Sequence, residues 1–268
     1  MIKYNSLEVK SPLKEYEHNI LGVYNWRNPG HLADYFELIY DISRHGDNQS
    51  ILEFGVHKGN SLVASAVFSR SLDFSPEIIG YDTWEGFPKS SIEPIDEHQG
   101  WARFKDLNIQ NDDFFKAREQ LLEYTAISKN TEINRLNARN VSSSEDFSHT
   151  SEMLVNRKLS ALSVEDMVEL CKGDFSDKNF VLDHLPQKPI ALVLIDADLY
   201  KSYTAIFEAL WPIVPSGCIF FLDEYFSLTF PGARLATDDF LSELRPDAYQ
   251  LRKVSDIGDF ERYILIKT

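Results

Sequence analysis

Apolar residues recur along the chain in short runs separated by glycine, proline and polar turns, and their period alternates between that of a helix and that of a strand. In HLADYFELIYDIS the positions Leu32, Tyr35, Phe36, Leu38, Ile39 and Ile42 keep close to a 3.6-residue period and predict a helix before residue 48. SILEFG, Ser50 to Gly55, is a compact apolar run ending in glycine, followed by a helix-compatible stretch from Asn60 to Ser71. Strand, glycine turn and helix open a βαβ unit. EIIGYD (Glu77 to Asp82) and MVELC (Met167 to Cys171) predict further strands, and IALVLIDAD (Ile190 to Asp198) is nearly all apolar, as a strand covered on both faces must be. A helix from about Ser202 to Trp211 and a fifth strand, GCIFFLDEY (Gly217 to Tyr225), follow. AYQLRKV (Ala248 to Val254) and ERYILIKT (Glu261 to Thr268), separated by SDIGDF, predict a terminal antiparallel pair. The expected fold is α/β, a doubly wound, Rossmann-like sheet with helices on both faces, mostly parallel with a C-terminal antiparallel strand.

One interval breaks the rhythm. Thr83 to Asp166 is far longer than a crossover helix requires. It holds a helix candidate, Asp112 to Tyr124, and a polar stretch, Val141 to Glu152, expected to be mobile; the interval is either a tolerated surface insertion or a substrate-covering lid. No internal repeat interrupts the chain.

Composition narrows the partners. The 268 residues carry 27 Lys and Arg against 42 Asp and Glu, a net charge of −15, with 43% hydrophobic residues. Nucleic acid and anionic membrane surfaces are poor partners for such a chain, because both need clustered Lys and Arg. A cationic ligand or a metal stays open. The N-terminal MIKYNSLEVKSPLKEYEHN has no apolar core of a secretory signal, and the run Ala209 to Leu222 is broken by Pro212, Pro215 and Gly217 and is short for a bilayer. Cys171 and Cys218 sit in apolar stretches and read as buried thiols, so a soluble protein of the cytoplasm is expected.

Ligands of open α/β sheets bind beyond the carboxyl ends of the strands. At those ends stand Glu53, Gly55 and Gly59; Asp82; Gly173 and Asp174; Asp196 and Asp198; and Asp223 and Glu224. Neighbouring carboxylates raise one another's pKa unless a cation intervenes, so this recurrence points to a site, against the plainer reading of solvated caps and turns. The loop EFGVHKGNS has glycines four apart, which suits either a cofactor loop or an ordinary turn. Asp82 holds the position from which an acid accepts hydrogen bonds from ribose hydroxyls. If the fourth and fifth strands are neighbours, Asp196 approaches Asp223 and Glu224, a set of hard oxygen ligands suited to Mg²⁺ or a similar divalent ion.

Four blocks, ILEFGVHKGNSL (51 to 62), YDTWEGFP (81 to 88), CKGDFSD (171 to 177) and IDADLYKSYTAIFEALWPIVPSGCIFFLDEYFSLTFPGARLATDDF (195 to 240), resemble the macrocin O-methyltransferase family, which includes the mycinamicin and novobiocin sugar O-methyltransferases. The resemblance implies a class I methyltransferase fold over residues 48–268 that uses S-adenosyl-L-methionine. It places Glu53, Gly55 and Gly59 around the methionine part of the cofactor, with Ser61 and Asp196 among the further contacts, Asp82 on the ribose, and Gly173, Asp174 and Phe175 by the adenine. Asp196, Asp223 and Glu224 match the magnesium ligands, with Glu224 standing where a second aspartate is usual, and Asp198 matches a general base acting with Asp196. The implied acceptor is a sugar-containing small molecule, methylated on a hydroxyl. Trp84, Phe87 and Tyr200 line the acceptor site or pack in the core; His57, His98, His149 and His184 are alternative bases or surface and capping residues. Residues 1–47 are expected to form a helical lid or dimer segment, with a homo-oligomer as one outcome, and about 89–165 to cover the acceptor. Methylation of a catechol-like diol and non-catalytic cofactor binding are the alternatives.

Overall fold

β-Branched and aromatic residues, alternating between two faces, build one sheet covered on both sides. The computed structural model describes residues 5–28, 30–254 and 261–268. Its strands are β1 (Ser50–Phe54), β2 (Glu77–Asp82), β3 (Val168–Lys172), β4 (Ile190–Ile195), β5 (Ile219–Phe226), β6 (Tyr249–Lys253) and β7 (Glu261–Lys267). They lie in the order β3-β2-β1-β4-β5-β7-β6, with β1 to β5 parallel, β7 antiparallel to β5 and β6 antiparallel to β7. This is the doubly wound, mostly parallel arrangement expected from the hydrophobic runs. The SDIGDF connection between β6 and β7 lies outside the described residues.

The helices are α1 (Glu15–Leu21), α2 (Ala33–Ser43), α3 (Asn60–Ser71), α4 (His98–Asp106), α5 (Asp112–Ser128), α6 (Glu152–Ala161), α7 (Lys178–Asp183), α8 (Tyr200–Leu210) and α9 (Pro231–Ser242). Ile51, Ile78, Leu192 and Phe221 enter one core with Tyr35 and Phe36 of α2, Leu62 and Phe68 of α3 and Val155 and Leu159 of α6. Their strand neighbours Leu52, Ile79, Val193 and Phe220 enter the other, with Val181 of α7, Tyr203 and Phe207 of α8 and Ala233 of α9. The period-two alternation of each strand thus feeds both layers. Among the described residues, no helix is long and apolar enough to cross a membrane.

The interval between β2 and β3 is more structured than its polar sequence suggests. The predicted helix is present as α5, capped by Asn111, whose side chain accepts from the Phe114 N–H at 3.0 Å. α6, capped by Ser151, packs on α3 and serves as the crossover helix. The stretch expected to be mobile is held by successive turns, Glu145 N–H to Ser142 carbonyl and Phe147 N–H to Ser144 carbonyl, and it buries Val141. Both cysteines are buried and free; burial pushes Cys171 up to about 11 and Cys218 up to about 12.

Candidate active site

The direction of winding reverses between β1 and β4, which are hydrogen-bonded neighbours in the centre of the sheet. Such a reversal splays the following loops apart and opens a crevice at the strand tips. Gly55 sits in the crevice at φ 93°, and a Cβ there would fall 1.7 Å from the Asp196 carbonyl oxygen. The approach of the protein's own backbone therefore requires the glycine, which also lines the cleft. Gly59, at φ 75°, starts α3 and packs against Val155. Gly173 is pressed against the Phe180 ring and lines no part of the crevice.

Glu53 is fully buried, and its Oε1 accepts from the Ser61 hydroxyl at 2.6 Å, while Oε2 has no partner. Burial holds its carboxyl well above the usual carboxylate range. Asp82 accepts from the backbone N–H groups of His57 (2.7 Å) and Trp84 (2.6 Å), which fixes the loops after β1 and β2 and leaves further lone pairs on each oxygen. A cleft runs between Gly55, His57 and Asp82 on one side and Asp174, Phe175, Asp196 and Asp198 on the other. His57 faces this cleft with an unpartnered, buried Nε2, and burial lowers its pKa to about 4, so the imidazole is neutral. Of the other histidines, His98 lies in an outer cavity, His149 is exposed beside Glu145, and His184 bonds the Phe180 carbonyl.

Asp196, Asp223 and Glu224 converge, with one carboxylate oxygen from each lying within 4.8 Å of the others. Parallel pairing of β4 with β5, Ile195 opposite Leu222, sets this distance. The Asp196 and Glu224 carboxyls lie side by side, and Glu224 Oε2 accepts from the Tyr203 hydroxyl at 2.7 Å. Burial, then the Asp223 charge, pushes Asp196 up to about 7; burial, then Asp196, holds both Glu224 and Asp198 well above their ordinary range. Asp198 is buried in a left-handed conformation, φ 58°, on the turn leaving β4. Among the described residues, the basic side chain set against these acids is Arg262, whose Nε lies 2.5 Å from Asp223 Oδ1, with an Nη nitrogen 3.4 Å from Oδ2.

A second cavity, of about 370 Å³, meets the cleft at the acids. Asp196, Asp198 and Phe147 line both, and the far wall comes from Leu121, Thr125 and Val141 of the long interval and Phe230 after β5. A third, of about 380 Å³, is formed by the N-terminal segment, including Tyr24 and His31, over Gly55, His57, Ser61 and Asp196. Phe87 borders the cleft and touches Phe147 and Phe230. Two candidates lie elsewhere. Trp84 is buried in the core with its indole N–H on the His57 carbonyl, and the Tyr200 hydroxyl donates to Asp239 at 2.9 Å beside Trp101 and Phe104. The composition of the region around 84 and 200 could not separate packing from lining. Arg262, Tyr203 and Phe147 were not singled out in the sequence. Only Arg262 left a signal there: alternation along ERYILIKT puts it on the same face as the buried Ile264.

The donor chemistry fits a hard divalent ion. Three carboxylates converge beside Arg262, and like charges so close need further cationic charge to ionise together. The unpartnered His57 Nε2 and the Asp82 carboxylate, both residues of the cleft wall, fit a polar ligand along the cleft.

A family model described as a methyltransferase domain matches residues 52–225. No curated protein matches the sequence significantly. Among solved structures, the O-methyltransferase NovP superposes with a TM-score of 0.63 at 17% identity, over 98% of this chain and 96% of that one. CalS11, a calicheamicin methyltransferase, gives 0.58 at 19% identity, over 95% of this chain and 80% of that one. At such identities the likeness is one of fold. The family match runs from β1 into β5, well over half of the sequence, and the chain belongs to the methyltransferase-domain family.

Proposed function

We infer that the protein is an S-adenosylmethionine-dependent, divalent-cation-assisted O-methyltransferase that methylates a hydroxyl of a sugar or glycosylated small molecule, as in the macrocin O-methyltransferase family. The observation that carries this reading is that Asp196 and Asp198 each line both the cleft and the adjoining cavity, so that two acids stand where a donor and an acceptor would meet. The fold is shared with NovP and with CalS11, whose apo form is described as a TDP-rhamnose 3′-O-methyltransferase. Residues 89–165 are read as the acceptor cover, supported by Leu121, Thr125 and Val141 in the cavity wall. Residues 1–47 are read as a lid over the methionine end of the donor, supported by Tyr24 and His31 above the Gly55 to Ser61 loop.

In this reading Asp82 accepts the ribose hydroxyls on its remaining lone pairs, Asp174 and Phe175 wall the adenine, and Glu53 and Ser61 support the methionine end. Asp196, Asp223 and Glu224 hold the cation. Bound S-adenosylmethionine and a divalent ion supply, respectively, an electrophilic methyl on a sulfonium and a field that lowers the pKa of the acceptor hydroxyl. In this reading the Asp198 carboxylate would take the proton of the acceptor hydroxyl as that hydroxyl is methylated. Phe147, which lines both cleft and cavity, gives the bound acceptor an apolar contact.

The apolar side of the same cavity, Leu121, Leu228 and Phe230, favours a second reading, an aromatic diol held by the same acids. Transfer of labelled methyl from S-adenosylmethionine to a panel of glycosides and catechols, with Mg²⁺ or EDTA, separates the two. Methylated glycosides in the Mg²⁺ arm support the first reading, catechols alone support the second, and activity that survives EDTA removes the cation from both.

A further inference from the structure

The cover contains another cavity, of about 470 Å³, on its outer side. Val141 and Thr229 line both this cavity and the one assigned to the acceptor, so the two adjoin. Its distinguishing group is Arg118 of α5. The guanidinium lies over the Trp101 ring at 4.0 Å, its Nε is buried without a hydrogen-bond partner, and its nearest charge attraction is to Glu119, the next residue along the helix. Burial pushes Arg118 down to about 10. The two acids lining the cavity are engaged elsewhere. Asp96 accepts from the Tyr200 N–H (2.7 Å) and the Glu93 N–H (2.9 Å), and Glu97 accepts from the Ala138 N–H at 3.1 Å.

A half-buried guanidinium with an unmet donor is held at a desolvation cost that an incoming anion would offset. Its contact with the Trp101 face restrains a guanidinium whose fork is the kind of donor set that oxyanions accept. In a chain of net charge −15 an anionic ligand also needs a local cation to be admitted at all.

We propose that this cavity is an oxyanion subsite for the methyl acceptor, in which Arg118, held over the Trp101 ring, binds a phosphate or carboxylate carried by the molecule whose hydroxyl enters the inner cavity. The assignment of the inner cavity to the acceptor rests on the methyltransferase reading above; the anion site itself rests on Arg118 and its surroundings. Sugar phosphates and uronic acids both present the required group.

The test is calorimetric binding of inorganic pyrophosphate, glucose 1-phosphate, glucuronate and methyl glucoside to the full chain with S-adenosylhomocysteine present, for the unmodified protein, Arg118→Met and Arg118→Lys. At least one anionic probe is expected to bind about tenfold or more tighter than methyl glucoside, and Arg118→Met to lose that preference, as for a charge-assisted hydrogen bond. Arg118→Lys should retain part of it. Pyrophosphate and glucose 1-phosphate binding identifies a phosphate-bearing acceptor, and glucuronate binding a carboxylate-bearing one. Equal affinity for charged and neutral probes, absence of anion binding, or a preference that survives in Arg118→Met overturns the proposal. Affinity for S-adenosylmethionine, measured on the same samples, should be the same in all three proteins; its absence in the unmodified chain would overturn the methyltransferase reading and leave the anion comparison readable by itself.

Discussion

The strand tips that floor the cleft and the helix-and-turn cover that roofs it hold their side chains by different means. On the floor, Glu53, Asp198, Asp223 and Glu224 are buried, and their spacing follows from sheet register, as with Ile195 opposite Leu222. On the roof, Leu121, Ser142 and Phe147 are partly exposed, Tyr124 is 70% exposed, and position depends on local turns and one capped helix. A floor of this kind tolerates little change, because burying acids this close is affordable only with their partners in place. A roof of this kind can be rebuilt while the reaction chemistry beneath stays constant. In the proposed function, recognition of the acceptor belongs to the roof and methyl transfer to the floor.

Substitutions should separate the two. The largest effect is expected for Asp198→Asn, which keeps size and removes the proton acceptor: kcat should fall by about 10²–10⁴-fold, with affinity for S-adenosylmethionine unchanged by calorimetry. A kcat within threefold of the unmodified enzyme would remove Asp198 as the base. Next is Arg262→Met, which strands the Asp223 carboxylate and should lower stability by about 3–5 kcal/mol in urea denaturation. A loss below about 1 kcal/mol would mean that Asp223 finds another counter-charge. On the roof, Phe147→Ala should raise the acceptor KM about tenfold, from the loss of roughly 1.5 kcal/mol of apolar contact, and change kcat much less. The smallest effect is expected for Tyr200→Phe. Its hydroxyl serves Asp239, so about 1 kcal/mol of stability should be lost with KM unaltered. A raised KM there would return Tyr200 to the acceptor site.

The floor was legible in the sequence because a strand covered on both faces must be nearly all apolar. IALVLI stood out, and acids immediately after such runs could be assigned to one end of the sheet. The antiparallel pair was legible for a related reason, its alternation and its place at the end of the chain. The roof was not. α4, HQGWARFKD, has a glycine in its first turn and buries chiefly Trp101 and Phe104, too few apolar positions to declare a period, and it packs partly on α9, which is distant in sequence. α6 was hidden by the polar stretch before it, although Ser151 is a capping residue. Trp84 and Tyr200 show the same limit from the other side. An aromatic residue beside a site looks identical in sequence whether it lines a cavity or supports the loop that does, and only the Trp84 N–H on the His57 carbonyl distinguishes the two. Arg262 was within reach of the alternation rule, but a basic residue in a short terminal strand is ordinarily solvated, and its role depends on β7 lying beside β5.

The central claim is that Asp196 stands where donor and acceptor meet. It is tested most directly by labelled methyl transfer with Asp196→Ala in the presence of Mg²⁺, with S-adenosylmethionine affinity measured on the same preparation. The account predicts a loss of about 10²-fold or more in transfer, as expected when a group acting in the transition state is removed, with cofactor affinity within about threefold of the unmodified protein. Retention of full methyl transfer by Asp196→Ala would contradict it.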